Sequence, residues 1–298
     1  MATETTPAVP VQPPRLRPSG FGEARPSFAT AAFRVFDLSL GQMLWSRRTI
    51  FLALVVGAPV VLGVIVRILT SSGIGHAVRL GGGPIVSGPS IFGLFIWLLF
   101  LRFIIPILGV FYGTSLVADE VEDKTITYLF TRPIARGAVV IGKYLAYLAA
   151  TVLVVLPSVM VLYFLIVPTG GGSLAGAFPA LLKDLALLGL GLAVYGSLFA
   201  WVGSQFKYPL VTGLVFAFGW EQGIMLIPGY LKRFTISYYI QGLVPHAMPQ
   251  DSALSILQVV SRDSLSAPMS LFWLGVIWLS FLGLAAWTVS RREYVLEQ

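Results

Sequence analysis

Residues 91–117 read IFGLFIWLLFLRFIIPILGVFYGTSLV, a run of 27 residues in which Arg102 is the only charged side chain. A helix of roughly 20 mostly apolar residues crosses the ~30 Å hydrocarbon core of a bilayer. The run therefore predicts a transmembrane helix that tilts or extends beyond the bilayer. Pro106 lacks a backbone N–H donor and is expected to kink this helix, which neighbouring helices in a membrane tolerate.

The composition of the whole chain agrees with a membrane protein. Of its 298 residues, 56% are hydrophobic and 11% are charged, and the mean hydropathy is +0.85. Soluble domains carry about 25% charged residues, and an outer surface that faces lipid accounts for the deficit. The chain has no cysteine, so we expect neither disulfides nor a cysteine-bound metal.

Six stretches of the chain are long and apolar enough to span a bilayer. They are Ile50–Leu69, Ile91–Val117, Ala138–Val167, Leu181–Ser204, Pro209–Pro228 and Met269–Val289. We therefore predict an all-α membrane protein whose permease domain covers residues 50–290. Residues 1–26 contain many Pro, Thr and Arg and no apolar run, and they are expected to be a disordered cytoplasmic tail. Residues 291–298 are expected to be a cytoplasmic C-terminus.

The distribution of Lys and Arg predicts the orientation of these spans. With the N-terminus inside, the inner segments hold 13 of the 20 basic residues, the outer segments hold five, and two lie within spans. Both termini are therefore predicted to be cytoplasmic, in a multi-pass protein of the cell membrane. The net charge of +7 follows from this bias, and no nucleic-acid partner is expected.

Residues 27–49 are predicted to form a separate helix at the inner membrane surface. Apolar side chains recur there at helical spacing, and polar ones occupy the other side. The apolar positions include Phe33 and Phe36, and we expect Trp45, Arg47 and Arg48 to anchor the helix in the lipid interface. The alternative is a soluble helix packed on a partner.

Between the second and third predicted spans the chain reads DEVEDKTITYLFTRPIARGAVVIGKY over Asp119–Tyr144. Four acids open this stretch, an amphipathic segment follows, and Arg-Pro-Ile-Ala-Arg leads to Gly142-Lys143 at the next span. The pattern predicts a short charged helix held between two long ones, which can transmit force from a soluble partner to both spans. Taken alone, the charge run would instead suit a solvated loop.

This ordered pattern resembles the integral membrane subunits of type-2 ABC exporters, and the six-span layout extends the resemblance over nearly the whole chain. One departure is Lys124, where Gly often precedes the Thr. The resemblance implies a coupling helix that docks on a separate ABC ATPase subunit. The residues it assigns to docking are Asp119, Glu120, Glu122, Asp123, Lys124, Thr125, Arg132, Pro133 and Arg136.

The same resemblance implies a pair of permeases in the membrane, formed by two copies of this chain or by this chain with a related one. ATP and Mg²⁺ would be bound by the ATPase, and this chain would bind no cofactor. Gly137–Lys143 fits the Gly-x-x-x-x-Gly-Lys spacing of a phosphate-binding loop, but Tyr144 follows it instead of Ser or Thr. No strand precedes it, so we do not predict a nucleotide site there.

Two charged side chains lie inside predicted spans. At 1.5 Å per residue, Arg102 is about 16 Å into the second span and Glu221 is roughly 10 Å from the end of the fifth. Intramembrane charges are costly and usually face a cavity or each other. We expect the two residues to line or gate the substrate path, with an ion pair as one arrangement. The alternative is a structural role, or for Arg102 a side chain that extends to the interface.

Two further sequence features concern packing. Gly189 and Gly196 lie seven residues apart in the fourth span, on one helical face, so they could allow close helix contact; general glycine enrichment in membrane helices is the alternative. The long segment Gly229–Pro268 after the fifth span contains apolar stretches, which favours short re-entrant or interfacial helices over a free loop.

Other classes of membrane protein fit the sequence less well. Both histidines, His76 and His246, fall in predicted outer segments, and no HExxH or GxSxG occurs, so we expect no enzyme and no metal site. A secondary transporter or channel that works without an ATPase is the alternative function. Inverted-repeat transporters have matched broken helices in two halves, and no such repeat is visible.

Overall fold

A computed structural model of the protein describes residues 27–72, 87–122, 136–225, 227, 229–244 and 265–291. Within these ranges the regular elements are all helices. The first two are α1 (Phe28–Leu44) and α2 (Arg47–Ser71), which are joined by a turn of two residues. Ser27 caps α1, because its side-chain oxygen accepts a hydrogen bond from the Thr30 amide.

Five helices in the described part of the chain are long and apolar enough to cross a membrane. They are Arg48–Ser71, Gly88–Asp119, Arg136–Ile166, Leu174–Gln205 and Ala267–Arg291. We call them the first, second, third, fourth and last spans. They confirm five of the six predicted stretches, and several extend beyond the predicted bounds.

The fourth span begins seven residues earlier than the sequence predicts, at Leu174 instead of Leu181. Residues 174–180 are rich in Ala and Gly and include Pro179, so they do not stand out as apolar. The helix nevertheless starts there because Ser173 caps it, accepting a hydrogen bond from the Gly176 amide at 3.2 Å.

The remaining predicted stretch, Pro209–Pro228, is helical from Pro209 to Met225. Its parts are α-helix Pro209–Leu214, π-helix Val215–Trp220 and α-helix Glu221–Met225. Leu226 and Pro228 lie outside the described residues. This helix is not among the five candidate spans, so a count of six stays a prediction.

The second span is not a uniform α-helix. Its parts are α-helix Gly88–Leu94, π-helix Phe95–Ile104, α-helix Ile105–Leu108, π-helix Gly109–Gly113 and α-helix Ser115–Glu122. Pro106 lies between the two π-helical parts. Because Pro cannot donate to the backbone ladder, its position accounts for part of the change in hydrogen-bonding pattern. π-Helical turns often mark functional sites, and Arg102 lies in the first of them.

Of the five candidate spans, the fourth is the most buried, and the first and last are the most exposed. Gly196 lets the fourth span pack closely on the third, because a Cβ at this position would lie 2.1 Å from Tyr147. A Cβ added at Gly189 would meet no atom within 4 Å. Of the two predicted glycines, only Gly196 therefore makes a close helix contact. The apolar side chains on the outside of the first span, such as Leu54 and Ile65, suit contact with lipid.

The segment after residue 228 begins with two short helices, as its apolar stretches predict. A 3₁₀ turn covers Tyr230–Phe234 and α-helix Ile236–Gln241 follows it. Residues 245–264 lie outside the described part of the chain. Ile236, Tyr238, Tyr239 and Ile240 are buried, so this second helix packs into the bundle rather than lying free.

Candidate functional site

The two ends of the predicted docking segment lie at the ends of long spans. Asp119 ends the second span and Arg136 begins the third. Glu120 and Glu122 lie in the helix that continues the second span to Glu122. The other predicted docking residues lie outside the described residues; they are Asp123, Lys124, Thr125, Arg132 and Pro133.

Asp119 forms an ion pair with Arg48, which stands in the first turn of α2. Both side chains are partly exposed, Arg48 by 50% and Asp119 by 36%. Next to them, the Tyr112 hydroxyl donates a hydrogen bond of 2.6 Å to the backbone carbonyl oxygen of Arg48. Tyr112 is only 2% exposed, so this second contact between the first and second spans is less accessible to water than the ion pair.

Hydroxyl groups also fix the turn that joins α1 to α2. The Ser46 and Thr49 side chains both donate to the Met43 carbonyl oxygen, at 3.0 and 2.6 Å. They thereby satisfy a carbonyl at the end of α1, where no further helical N–H is available. The position of Arg48 relative to α1 is therefore set by the turn itself.

A polar cavity of about 230 Å³ lies between α1, the ends of the first two spans and the start of the third. Lys143 reaches this cavity, and its ammonium donates to the Leu116 carbonyl oxygen at 3.4 Å. Its lining consists of Ser39, Gln42, Met43, Ser46, Arg48, Tyr112, Ser115, Leu116, Asp119 and Lys143. We call Arg48, Tyr112, Asp119 and Lys143 the Arg48 cluster.

The α1 helix packs on the start of the third span through small residues. Ala31, Ala32 and Ala138 form a buried cluster. A Cβ at Gly142 would lie 2.5 Å from the Ala32 carbonyl oxygen, so only glycine permits this approach. Gly142 belongs to the stretch Gly137–Lys143, whose spacing fits that of a phosphate-binding loop. In the structure it lies inside the helix Arg136–Ile166, where it serves packing.

Phe33 and Phe36 lie on α1, and Trp45 follows its last residue. Phe33 is 69% exposed and Trp45 is 93% exposed. The Phe33 and Phe36 rings stack with their centroids 5.9 Å apart, and Phe36 is only partly buried. For Arg47, the structure describes the helical backbone alone.

Glu221 lies in a different environment, where it is fully buried. Its Oε1 accepts a hydrogen bond from the Ile236 amide at 2.9 Å, and its Oε2 accepts from the Ser237 amide at 3.1 Å. The Ser237 hydroxyl and the Tyr195 hydroxyl also donate to Oε2, at 2.8 and 3.1 Å. We call Glu221, Tyr195, Ile236 and Ser237 the Glu221 cluster; in it, the carboxylate caps the helix Ile236–Gln241 and ties it to the fourth span.

Arg102 does not pair with Glu221, although both residues are described. Its guanidinium lies 5.6 Å from the centre of the Trp97 ring, which is within cation–π range. The Gln222 amide donates to the Arg102 carbonyl oxygen at 2.8 Å. Arg102, Trp97, Gln222 and Ser237 line part of a cavity of about 20 Å³, which is room for about one water molecule.

Several residues of both clusters could not be found from the sequence. Tyr112 and Tyr195 stand in apolar runs where a tyrosine has no distinguishing neighbour. Ser237 carried a weak signal together with its neighbour Thr235, which is outside the cluster, since Ser or Thr before an apolar stretch indicates a helix start. In the described residues, no group of three or more His, Cys, Asp or Glu side chains is placed to hold a metal ion.

The described residues form a helical bundle with five candidate membrane spans. No curated protein matches this sequence. Residues 22–293 match the protein family described as ABC-2 family transporter protein, which covers α1, all five candidate spans and the docking segment. The chain is therefore a multi-pass membrane protein that belongs to the ABC-2 transporter family, as a permease component of an ABC transporter.

Proposed function

We propose that this chain is the permease subunit of an ATP-driven exporter and that residues 119–136 dock on its separate ATPase subunit. The observation that carries the proposal is the attachment of this segment to two long spans, at Asp119 and Arg136. A displacement of the segment is thereby passed to the second and third spans directly. Docking would use Asp119, Glu120, Glu122, Asp123, Lys124, Thr125, Arg132, Pro133 and Arg136.

The proposal includes six spans, with Pro209–Met225 and the residues after it as the fifth in chain order. Six spans place both termini on one side, and the excess of Lys and Arg makes this the cytoplasmic side of the cell membrane. The Arg48 cluster then faces the cytoplasm, where a soluble ATPase can reach the docking segment. The Glu221 cluster lies deeper, because its Ser237 lines the same small cavity as Arg102. Along the second span, Arg102 is roughly 25 Å from Asp119 at 1.5 Å per residue.

The α1 helix is proposed to lie at the cytoplasmic membrane surface, within an element of residues 27–49. Its exposed Phe33 and Trp45 side chains suit the boundary between headgroups and acyl chains. Phe36, Arg47 and Arg48 complete the proposed anchor. Because α1 also packs on the third span of its own chain, it needs no soluble partner to cover its small-residue face.

Transport would follow a conformational cycle of two permeases and two ATPases. The second permease is another copy of this chain or a related chain. ATP and Mg²⁺ bind to the ATPases, and this chain contributes no cofactor. ATP drives the cycle only if it binds one conformation more tightly than the other, and the docking segments pass that difference to the spans.

Arg102 and Glu221 have different surroundings in this scheme. Arg102 is partly exposed and lies beside a small cavity, which supports a role on the substrate path. Both carboxylate oxygens of Glu221 accept hydrogen bonds from its own chain, which favours the structural alternative. Glu221→Gln should therefore lower the yield of folded complex. A variant that assembles normally but transports poorly would instead support a role of Glu221 on the substrate path.

The proposal is tested by affinity purification of the tagged permease in mild detergent. We expect an ATPase with a phosphate-binding loop to co-purify, and to be lost when Glu120, Glu122 and Asp123 are all changed to Lys. A matched control makes the same charge change elsewhere in the predicted cytoplasmic part, at Asp37, Glu293 and Glu297, and should retain the ATPase.

Loss of the ATPase from both triple variants would remove the assignment to residues 119–136. A permease that purifies alone at full yield, and that supports ion flux in liposomes without ATP, would instead favour a secondary transporter or channel.

A further inference from the structure

Arg102 lies near the middle of the second span. Along the helix it is roughly 21 Å from Gly88 and roughly 25 Å from Asp119, at 1.5 Å per residue. A charge at such depth is costly and usually faces a cavity, an ionic partner or the path of a transported substrate. Arg102 lines a small cavity and is partly exposed, so the bundle does not enclose it completely.

The described residues provide no counter-ion for Arg102. Among them, no carboxylate lies within 4.0 Å of its guanidinium, and the guanidinium donates no hydrogen bond. Glu221 does not take this role, because its carboxylate accepts its hydrogen bonds from the other members of the Glu221 cluster. The Trp97 ring, 5.6 Å from the guanidinium carbon, stabilises the positive charge without neutralising it. Within the described part of the chain, the charge is therefore not compensated.

Amide side chains stand beside this charge. Gln222 and Gln241 line the same cavity, and both are partly exposed. The Gln222 amide donates to the Arg102 carbonyl oxygen at 2.8 Å, which fixes it next to Arg102. The Gln241 side chain makes no hydrogen bond to another described residue, so its two amide N–H donors can serve an incoming acceptor. A guanidinium flanked by amide donors suits the oxygens of a carboxylate or a phosphate.

An apolar surface adjoins this polar site. Phe103 follows Arg102 and is 41% exposed, and its ring lies 6.2 Å from the Phe218 ring, centre to centre. Phe218 and Gln222 are four residues apart, so they lie on one side of their helix. The polar cavity and the pair of rings therefore lie next to each other, between the second span and the helix Pro209–Met225. This arrangement suits a molecule with one anionic group and an apolar body better than a small inorganic anion.

We propose that Arg102 binds the anionic group of an amphiphilic substrate, whose apolar chain lies along Phe103 and Phe218. The anionic group is a carboxylate or a phosphate. The inference rests on the proposed function, which makes the bound molecule the exported one, and it adds the class of substrate. The cavity has room for about one water molecule, so the apolar chain lies outside it, against the exposed Phe103 ring. Arg102 is then a specificity-determining residue that favours anionic amphiphiles over cationic or uncharged ones of equal length.

A fluorescence titration of the full-length permease in phosphatidylcholine nanodiscs tests the site without an ATPase. The probe is an undecyl phosphate with a dansyl label at the end of its chain, and empty nanodiscs give the background. We expect saturable binding, and displacement of the probe by laurate and by dodecyl phosphate. Dodecyltrimethylammonium and dodecanol should be much weaker competitors because they lack the anionic group. Inorganic phosphate should be weak as well because it lacks the apolar chain.

Variants of the site distinguish specific binding from uptake into the bilayer. Arg102→Gln should weaken binding of the probe about tenfold or more, because it removes hydrogen bonds between charged groups, and the preference for laurate over dodecanol should disappear. Arg102→Lys keeps the charge without the planar guanidinium and should be intermediate. Gln241→Leu should weaken binding less, and it serves if Arg102→Gln does not fold. The matched control is Arg67→Gln, at an exposed arginine of the first span, which should leave binding unchanged.

A second measurement separates a substrate from a lipid that stays bound. The same probe is offered to the complex of permease and ATPase in proteoliposomes, and external albumin then extracts whatever remains in the outer leaflet. With ATP outside, the fraction protected from albumin should rise in the unchanged protein and in Arg67→Gln, but not in Arg102→Gln.

The proposal is overturned if the probe binds equally well to the unchanged protein, Arg102→Gln and Gln241→Leu. Equal displacement by laurate and by dodecyltrimethylammonium has the same consequence. Binding that depends on Arg102 without any movement driven by ATP would also overturn it, because the amphiphile is then a resident lipid and not a substrate. Failure of the proposed function has a different signature, since then no ATPase co-purifies with the permease, whatever the titration shows.

Discussion

The Glu221 cluster and the Arg48 cluster each hold a carboxylate on a long helix, but the two carboxylates have opposite surroundings. Glu221 is fully buried, and four donors from its own chain surround it. Asp119 is partly exposed and pairs with Arg48, which is more exposed still. A buried charge must be satisfied locally or it destabilises the fold, whereas an exposed one can exchange partners at little cost.

Under the proposed function, the Glu221 cluster is structural and the Arg48 cluster lies where coupling would act. The Glu221 cluster fixes the helix Ile236–Gln241 against the fourth span, and both of its carboxylate oxygens already accept hydrogen bonds from within the chain. The Arg48 cluster stands beside an open polar cavity at the end of the docking segment. Variants of the first should thus change stability strongly, and variants of the second should change coupling while stability stays nearly constant.

The largest effect is expected for Glu221→Leu. This change leaves the Ile236 and Ser237 amides without their acceptor, whereas the Tyr195 hydroxyl keeps Ser237 Oγ as a partner at 3.0 Å. Each buried unsatisfied donor costs about 1–3 kcal/mol, so we expect a loss of at least about 2 kcal/mol of stability, seen as a lower melting temperature and a smaller monodisperse peak in detergent. Glu221→Gln keeps an acceptor and should be milder; an unchanged melting temperature for Glu221→Leu would contradict the capping role.

The core between the two clusters is tested by Gly196→Ala. The added Cβ would lie 2.1 Å from Tyr147, and Tyr147 is buried and bonded to the Leu192 carbonyl oxygen, so it cannot move away freely. We expect a loss of about 1–3 kcal/mol in thermal unfolding. Gly189→Ala is the control on the same helix, because it meets no atom within 4 Å. Equal melting temperatures for the two variants would exclude close packing at Gly196.

A smaller effect is expected for Tyr112→Phe. The change removes one hydrogen bond to the Arg48 carbonyl oxygen and keeps the ring, so the protein should lose about 1 kcal/mol of stability. Thermal unfolding in detergent measures this loss. Tyr208→Phe, at an exposed position, is the control and should have no effect. A loss as large as that of Glu221→Leu would remove the proposed difference between the clusters.

The smallest effect is expected for Arg48→Gln and Asp119→Asn. The pair is partly exposed, so each variant should lose at most about 1 kcal/mol. The loss should shrink further at high salt, because salt screens exposed charges. Melting temperatures at low and high ionic strength measure both effects. A large, salt-independent destabilisation would show that the Arg48 pair is as structural as Glu221.

Hydropathy predicted the five candidate spans because each contains an apolar run of membrane length. The start of the fourth span was missed because Gly176 and Pro179 interrupt residues 174–180, and both are poor helix formers. Pro106 indicated a disturbed helix, but nothing in the sequence distinguishes π-helical turns on either side of it. The packing of α1 on the third span depends on Ala32, Ala138 and Gly142, small residues that carry no hydropathy signal.

The two clusters were only partly predictable for a related reason. Glu221 and Asp119 are visible in the sequence as charges within or next to apolar runs. Their partners, Ser237 and Arg48, are 16 and 71 residues away from them, and periodicity does not report contacts at such separations. The sequence therefore identified both carboxylates as candidates and left open whether each is structural or functional.

Photo-cross-linking tests the central claim, docking of an ATPase through residues 119–136, most directly. A photoreactive amino acid is placed at Tyr128 in the docking segment and, as a control of the same residue type, at Tyr230, which is exposed on the side predicted to face outward. In membranes, the account predicts an adduct between position 128 and a chain that carries a phosphate-binding loop, and no such adduct from position 230. The claim is contradicted if several positions of the docking segment give no ATPase adduct while the permease is folded and active.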